Sequence, residues 1–109
     1  MKVLFDQGTP APLRELLSGH KVSTAYELGW STLRNGELLA MAEARGFQVF
    51  VTTDTNLRYQ QNLQERIIAI VVLSSTSWPL IQLRVADIKL AIDQAAASGF
   101  VEVLIPHAK

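Results

Sequence analysis

Apolar residues along this chain fall into short runs separated by longer segments with helical spacing. Val3, Leu4 and Phe5 form the first run, which stops at Asp6. A run this short, ended by a polar turn, predicts a strand rather than a helix. Gln7 and Gly8 turn the chain, and Thr9 followed by Pro10 predicts a helix start, with Thr9 as N-cap and Pro10 in the first turn. Leu13, Leu16 and Leu17 make one apolar side of that helix, and Gly19 is its expected stop. Residues 22–24 predict a second strand, and residues 26–30 a single helical turn. Asn35 is the expected cap of a helix that reaches about Arg45 and stops at Gly46, with Leu38, Leu39, Met41 and Ala42 on its apolar side.

Val49, Phe50 and Val51 predict a third strand, leading into Thr52, Thr53 and Asp54. Residues 55–65 are polar and read as a loop with a helical turn. Residues 67–73 are continuously apolar and rich in β-branched side chains, as expected of a central parallel strand covered on both faces. After a loop at 74–77, the longest helix is expected over 79–97. Ile81, Val85, Ile88, Ile92 and Ala95 form its main stripe, and Leu80, Leu83 and Leu90 a second, weaker one. Gly99 ends it, residues 100–105 predict the last strand, and Pro106 closes the fold. Strands alternating with helices imply an α/β fold, a mainly parallel sheet of about five strands with right-handed crossovers.

Composition narrows the picture. With 109 residues, 49% hydrophobic and 18% charged, the chain reads as one folded domain, 1–109. Ten acidic residues balance ten basic ones, so any nucleic-acid binding requires a local basic patch rather than a general field. There is no cysteine, which removes disulfides and thiolate metal sites. No apolar run approaches the roughly 20 residues of a membrane span, and Met1 and Lys2 lead directly into the first strand without a signal peptide. A cytoplasmic location is expected by elimination. The spare leucines of the last helix, on a chain of zero net charge, point either to a homodimer through that helix or the last strand, or to packing of Leu80 and Leu83 under the 55–65 loop.

Sites in an open parallel sheet lie beyond the carboxyl ends of its strands. Two strands here end near an acid, Asp6 and Asp54. If those strands are neighbours, the carboxylates converge, and converging carboxylates repel each other unless a cation joins them. On that reading, Asp6→Asn leaves stability unchanged or slightly higher. The expected occupant is Mg²⁺ or Mn²⁺, a hard cation that takes oxygen ligands, activates water and stabilises a phosphoryl oxygen. Either acid taken alone is more simply a turn cap, since Asp side chains accept from nearby backbone N–H groups. Glu37, in a helix first turn, is either a third carboxylate at the same mouth or compensation of the helix dipole. Asn56 is either a ligand or a turn residue. Arg14, Arg34, Arg58 and Arg66 are candidates for a phosphate patch, and the amides of Tyr59-Gln60-Gln61-Asn62 for base contacts. His20 and His107 have no partner at catalytic spacing.

The ordered set Val3-Leu4-Phe5-Asp6-Gln7-Gly8-Thr9-Pro10, Gly19-His20-Lys21-Val22, Glu27-Leu28-Gly29-Trp30, Asn35-Gly36-Glu37-Leu38-Leu39 and Val51-Thr52-Thr53-Asp54-Thr55-Asn56-Leu57 resembles a family of small bacterial PIN-like proteins. The resemblance covers nearly the whole chain. It implies a three-layer PIN-like domain and a metal-dependent endoribonuclease, often the toxin of a pair with a small helix-turn-helix antitoxin. It implies Asp6, Glu37 and Asp54 as catalytic, metal-holding acids, with Asn56 beside them. Family members often carry an Asp-Glu-Asn opening where this chain has Asp6, Gln7 and Gly8, and Asp at the positions of Asn35 and Asn56. Those departures make a catalytically weak or inactive binding module the alternative. A receiver-like phosphoacceptor with Asp54 as acceptor ranks third, because the paired acid after the first strand and the lysine after the last are absent.

Overall fold

The computed structural model of the protein describes residues 1–57 and 66–106. The readings for Arg58, the amide run from Tyr59, the helical turn beyond Leu57 and His107 fall outside those residues. Five strands form one sheet in the order β2-β1-β3-β4-β5, with every neighbouring pair parallel. They are β1 (Lys2–Phe5), β2 (Lys21–Thr24), β3 (Val49–Thr52), β4 (Ala69–Leu73) and β5 (Phe100–Val103). Two main helices, α1 (Asn35–Ala44) and α2 (Val85–Ser98), cover opposite faces of the sheet.

The side-chain period of two along the strands builds that sandwich. Val3, Phe5, Val49, Val51, Ala69, Val71 and Leu73 point to one core, which they share with Ile88, Ala91, Ile92 and Ala95 of α2. Leu4, Phe50, Ile70 and Val72 point to the other, shared with Leu38, Leu39 and Ala42 of α1. Strands buried on both faces read as unbroken apolar runs, which is why β1, β3 and β4 stand out in the sequence. The fold is therefore α/β with three layers.

Several local expectations differ from the structure. The segment after Pro10 is a 3₁₀ helix, Ala11–Leu16, closed by bonds from Leu13 N–H to the Pro10 carbonyl (3.1 Å) and from Leu17 N–H to the Arg14 carbonyl (3.2 Å). So short a segment between strands does not repay the cost of an α-helical nucleus. Thr9 is not its cap; Pro10 occupies that position, and the Thr9 side chain turns to Asp6. Residues 26–30 form turns without a helix. Arg34 is the N-cap of α1 and Asn35 its first residue. The last helical stretch is segmented into Trp78–Ile81, a 3₁₀ turn Gln82–Arg84, and α2. Gly99, at φ 87°, ends α2 in a left-handed conformation that favours glycine.

Ile67 is not a strand residue; it is 93% exposed. Glu43 of α1 explains this. Its Oε2 accepts the backbone N–H groups of Ile67 and Ile68 (3.1 Å for Ile68), and its Oε1 accepts from Arg66 Nη1 (3.0 Å). The N–H groups that would have begun the β4 ladder are captured by a carboxylate instead. Burial pushes the Glu43 carboxyl up, but the Ile68 N–H, Arg66 and the Ile67 N–H outweigh it and hold its pKa below the ordinary glutamate value. A depressed folded pKa means that this contribution is present above the unfolded value and is lost as pH falls through the folded one. Urea titrations of wild type and Glu43→Gln should therefore converge as pH drops below about 4. A stability gap that stays constant down to pH 3 would contradict the linkage.

Candidate functional site

The strand order places a topological switch between β1 and β3. From β1 the chain moves outward to β2, then returns through α1 to β3 on the other side of β1. The connections leaving β1 and β3 diverge at their carboxyl ends, the place where sheets of this kind bind ligands. Phe5 is level with Val51 across the β1–β3 ladder, so Asp6 and Thr52 are next along each strand.

The Asp6 carboxylate is held by three donors. Oδ1 accepts the Thr9 backbone N–H (3.0 Å) and the Thr9 hydroxyl (2.6 Å). Oδ2 accepts the Thr52 hydroxyl in a short bond. The Thr9 hydroxyl also lies 3.0 Å from the Val51 carbonyl, but it carries one proton, and the ionised acceptor at 2.6 Å is the stronger partner. Thr52 is fully buried. Its Oγ1 in turn accepts the Asp54 backbone N–H (3.0 Å). A continuous path thus runs from the Asp54 amide through the Thr52 hydroxyl to the Asp6 carboxylate.

Asp54 has its own supports. Oδ1 accepts the Asn56 backbone N–H (3.0 Å), an Asx turn, and Oδ2 accepts the Asn35 side-chain amide (2.9 Å). Asn35 opens α1, so the helix N-terminus faces the same carboxylate, a favourable placement for negative charge. Gly8 lines the other side. A Cβ there would stand 2.4 Å from Thr53 Oγ1, so the approach of these two loops requires either glycine or rotation of that hydroxyl.

Asp6 and Asp54 are therefore linked through the Thr52 hydroxyl at the carboxyl end of the sheet. Glu37 is not joined to them in the structure: its Oε1 accepts the Arg34 backbone N–H (3.3 Å) at the start of α1, the helix-terminus role. Among the described residues no three His, Asp or Glu side chains are grouped closely enough to hold a metal ion together. Asn56 supports Asp54 through its backbone, and its side chain lies in an exposed residue. The arginine patch does not assemble from Arg14 and Arg66. Arg14 pairs with Glu27, and Arg66 lies along α1, on Glu43 and the Gly36 carbonyl. Arg34, adjacent to Asn35, is an exposed cation at this rim. His20 lies between the chain's amino terminus (3.3 Å) and Asp93 (4.0 Å), away from the acids.

Thr9 and Thr52 are the site residues that the sequence pattern did not single out. Their signal was the Thr-Thr-Asp ending of β3 and the Thr three residues after Asp6, both of which read equally well as ordinary turn chemistry. Among the described residues no helix is long and apolar enough to cross a membrane. In comparisons with known proteins, no family model, no curated protein and no solved structure matches this chain.

Proposed function

We propose that the crevice between β1 and β3 binds one divalent cation, Mg²⁺ or Mn²⁺, and that the protein is a metal-dependent endoribonuclease of the PIN-like type. The observation that carries this reading is the coupling of Asp6 and Asp54 through the Thr52 hydroxyl at the switch point of the sheet. The donor set is hard oxygen throughout, and Mg²⁺ takes one or two carboxylates with water completing its shell. Two acids fit one such ion; a second ion would lack carboxylates. Asp6 and Asp54 would hold the cation, which when bound supplies charge for a phosphoryl oxygen and a more acidic water. Thr9 and Thr52 fix the direction of the Asp6 oxygens, and Asn35 and the Asn56 amide fix those of Asp54. Glu37 would join only by leaving the Arg34 amide.

Purified protein with Mn²⁺ should cleave single-stranded RNA slowly, and EDTA should stop it. With no net charge, affinity rests on few phosphate contacts, so cleavage should concentrate at exposed loops where bases are splayed out. Absence of Mn²⁺ binding by calorimetry, together with absence of cleavage, would sink the reading.

The Asn35 amide favours a second reading. It donates to Asp54 at the position where a carboxylate would strengthen a metal site. A catalytically inactive binding module would keep the crevice and the hydrogen bonds without turnover. RNA retention without cleavage in Mn²⁺ would select it. Sheet order alone decides nothing here, since phosphoacceptor receivers share the 2-1-3-4-5 arrangement. A toxin role with a helix-turn-helix antitoxin rests on the resemblance alone. Growth arrest on expression, relieved by co-expressing the product of the adjacent reading frame, is its test.

The homodimer belongs to the same proposal. Leu80 packs partly into the core, but Leu83 and Leu90 are 72% and 56% exposed, and Leu104 beyond β5 is 78% exposed. Leu90 and Leu104 border one groove between α2 and β5 that also carries Asp87 and Glu102; Lys89 stands on α2, and Arg84, just before it, pairs with Asp87 (3.7 Å). Opposite charges beside one apolar patch suit a two-fold contact with a second copy. Light scattering should give a dimer mass that Leu90→Glu converts to a monomer; a wild-type monomer at high concentration would end the idea.

A further inference from the structure

We infer that Tyr26 and Pro10 form a stacking subsite for one nucleobase, next to the Asp6 end of the crevice. The inference rests on the nucleic-acid reading above and names where that substrate's base is held. Tyr26 follows β2 at the carboxyl edge of the sheet. Thr24 is level with Phe5 across the β1–β2 ladder, which sets Tyr26 beside the turn after Asp6. A cavity of about 300 Å³ lies between these two segments, lined by Asp6, Gln7, Thr9, Pro10, Thr24 and Tyr26 among others. It shares Asp6 with the acidic crevice. This volume lies at the small end of ligand pockets, which begin at roughly 300 Å³, so it suits a single ring system rather than a large ligand.

Tyr26 is 80% exposed, yet its backbone is rigidly framed. Ala25 N–H bonds the Phe5 carbonyl (2.8 Å), Trp30 N–H the Ala25 carbonyl (2.8 Å), and Gly29 N–H the Tyr26 carbonyl (3.1 Å). The two walls are also braced against each other. Glu27 accepts the Thr24 N–H (2.8 Å) and pairs with Arg14 of the 3₁₀ helix that starts at Pro10's wall. The Gln7 side-chain amide donates to the Ser31 carbonyl, tying the Asp6 turn to the segment after Tyr26. An aromatic ring in water on a fixed backbone, lining one cavity with a proline, is pre-organised to receive a flat partner. Bases splayed from single strands stack on such rings regardless of sequence. A phosphodiester at Asp6 and Asp54 places the adjoining nucleotide's base within this cavity's reach. The Gln7 amide oxygen, on the same wall, is a group able to accept from a base amino group.

The test uses the full-length protein in EDTA, so that no metal step contributes. Titration with 5′-AMP and 5′-UMP should shift the Tyr26 ring proton resonances upfield, and ribose 5-phosphate should not. A fluorescently labelled six-nucleotide single-stranded RNA should bind Tyr26→Ala about fivefold or more weakly than wild type, because stacking contributes about 1–3 kcal/mol per base. Tyr26→Phe keeps the ring and should keep the affinity. Equal RNA affinity in wild type and Tyr26→Ala, or no ring shift with either nucleotide, would overturn the subsite. An equal shift with ribose 5-phosphate would overturn it also. Mn²⁺ binding is measured separately: its absence with stacking intact defeats the metal reading alone, whereas Mn²⁺-dependent cleavage unaffected by Tyr26→Ala defeats this subsite alone.

Discussion

Asp6→Asn should destabilise the protein by about 1.5–3 kcal/mol, the cost of losing hydrogen bonds to a charged group. Charge repulsion between two convergent acids, taken alone, predicts the opposite sign. The structure reverses it because the Asp6 carboxylate accepts from Thr9 N–H, Thr9 hydroxyl and Thr52 hydroxyl, and the Asp54 N–H is joined to it through Thr52. Asparagine keeps one oxygen and turns the other acceptor into a donor. If the remaining oxygen faces Thr9, the new NH₂ faces Thr52 Oγ1, which already accepts from Asp54 N–H, and the Thr52 proton loses its acceptor in a fully buried residue. If it faces Thr52, the Thr9 hydroxyl falls back on the Val51 carbonyl (3.0 Å) and the Thr9 N–H on the Asp6 carbonyl (3.3 Å), both weaker partners than a carboxylate. Either orientation replaces hydrogen bonds to a charged group with weaker or missing ones. Urea unfolding measures the change, and calorimetry on the same variant should show Mn²⁺ binding abolished. Stability equal to or above wild type would mean that repulsion dominates and that the hydrogen-bonded network contributes little.

Asn35→Asp should make stability depend on divalent cation. The Asn35 amide donates to Asp54 Oδ2 at 2.9 Å. A carboxylate there replaces an attraction with two like charges near contact, so the metal-free variant should lose about 1–3 kcal/mol. The same change adds a hard oxygen ligand beside Asp54 and should tighten Mn²⁺ binding. Ligand that binds only the folded state stabilises it, by about 2.7 kcal/mol at a concentration of 100 Kd. Thermal melts with and without Mn²⁺ should therefore separate far more in the variant than in wild type. Pairing it with Asn56→Asp should add to metal affinity, since that residue begins in an exposed position beside the Asp54 turn. If both changes raise metal affinity and no RNA is cut, the binding module replaces the nuclease as the reading of this crevice. If Asn35→Asp destabilises and Mn²⁺ does not rescue it, the crevice is a structural network and not a cation site.

The sequence by itself determined the layers. Unbroken apolar runs at β1, β3 and β4 require cover on both faces, and the stripe of Ile81, Ile88, Ile92 and Ala95 requires a sheet to lie against; each is buried as its period demands. It also determined that two acids stand at strand ends, because a strand's end is marked in sequence by the loss of apolar residues. What it could not determine depends on register and on which neighbour reaches a group first. Ile67 continues the apolar run of β4, yet Glu43 from a distant helix takes its N–H and leaves the side chain in water. Glu37 and Asp54 are both candidate ligands in the sequence, but the first accepts the Arg34 amide and the second the Asn35 side chain. Thr52 looks like a strand residue and Thr9 like a helix cap. Only the pairing of β1 with β3 sets both hydroxyls on Asp6, and so makes one connected site from residues 46 positions apart. Periodicity reports how much of a residue is buried, whereas a hydrogen bond also needs the partner's direction and distance, which the tertiary fold alone supplies.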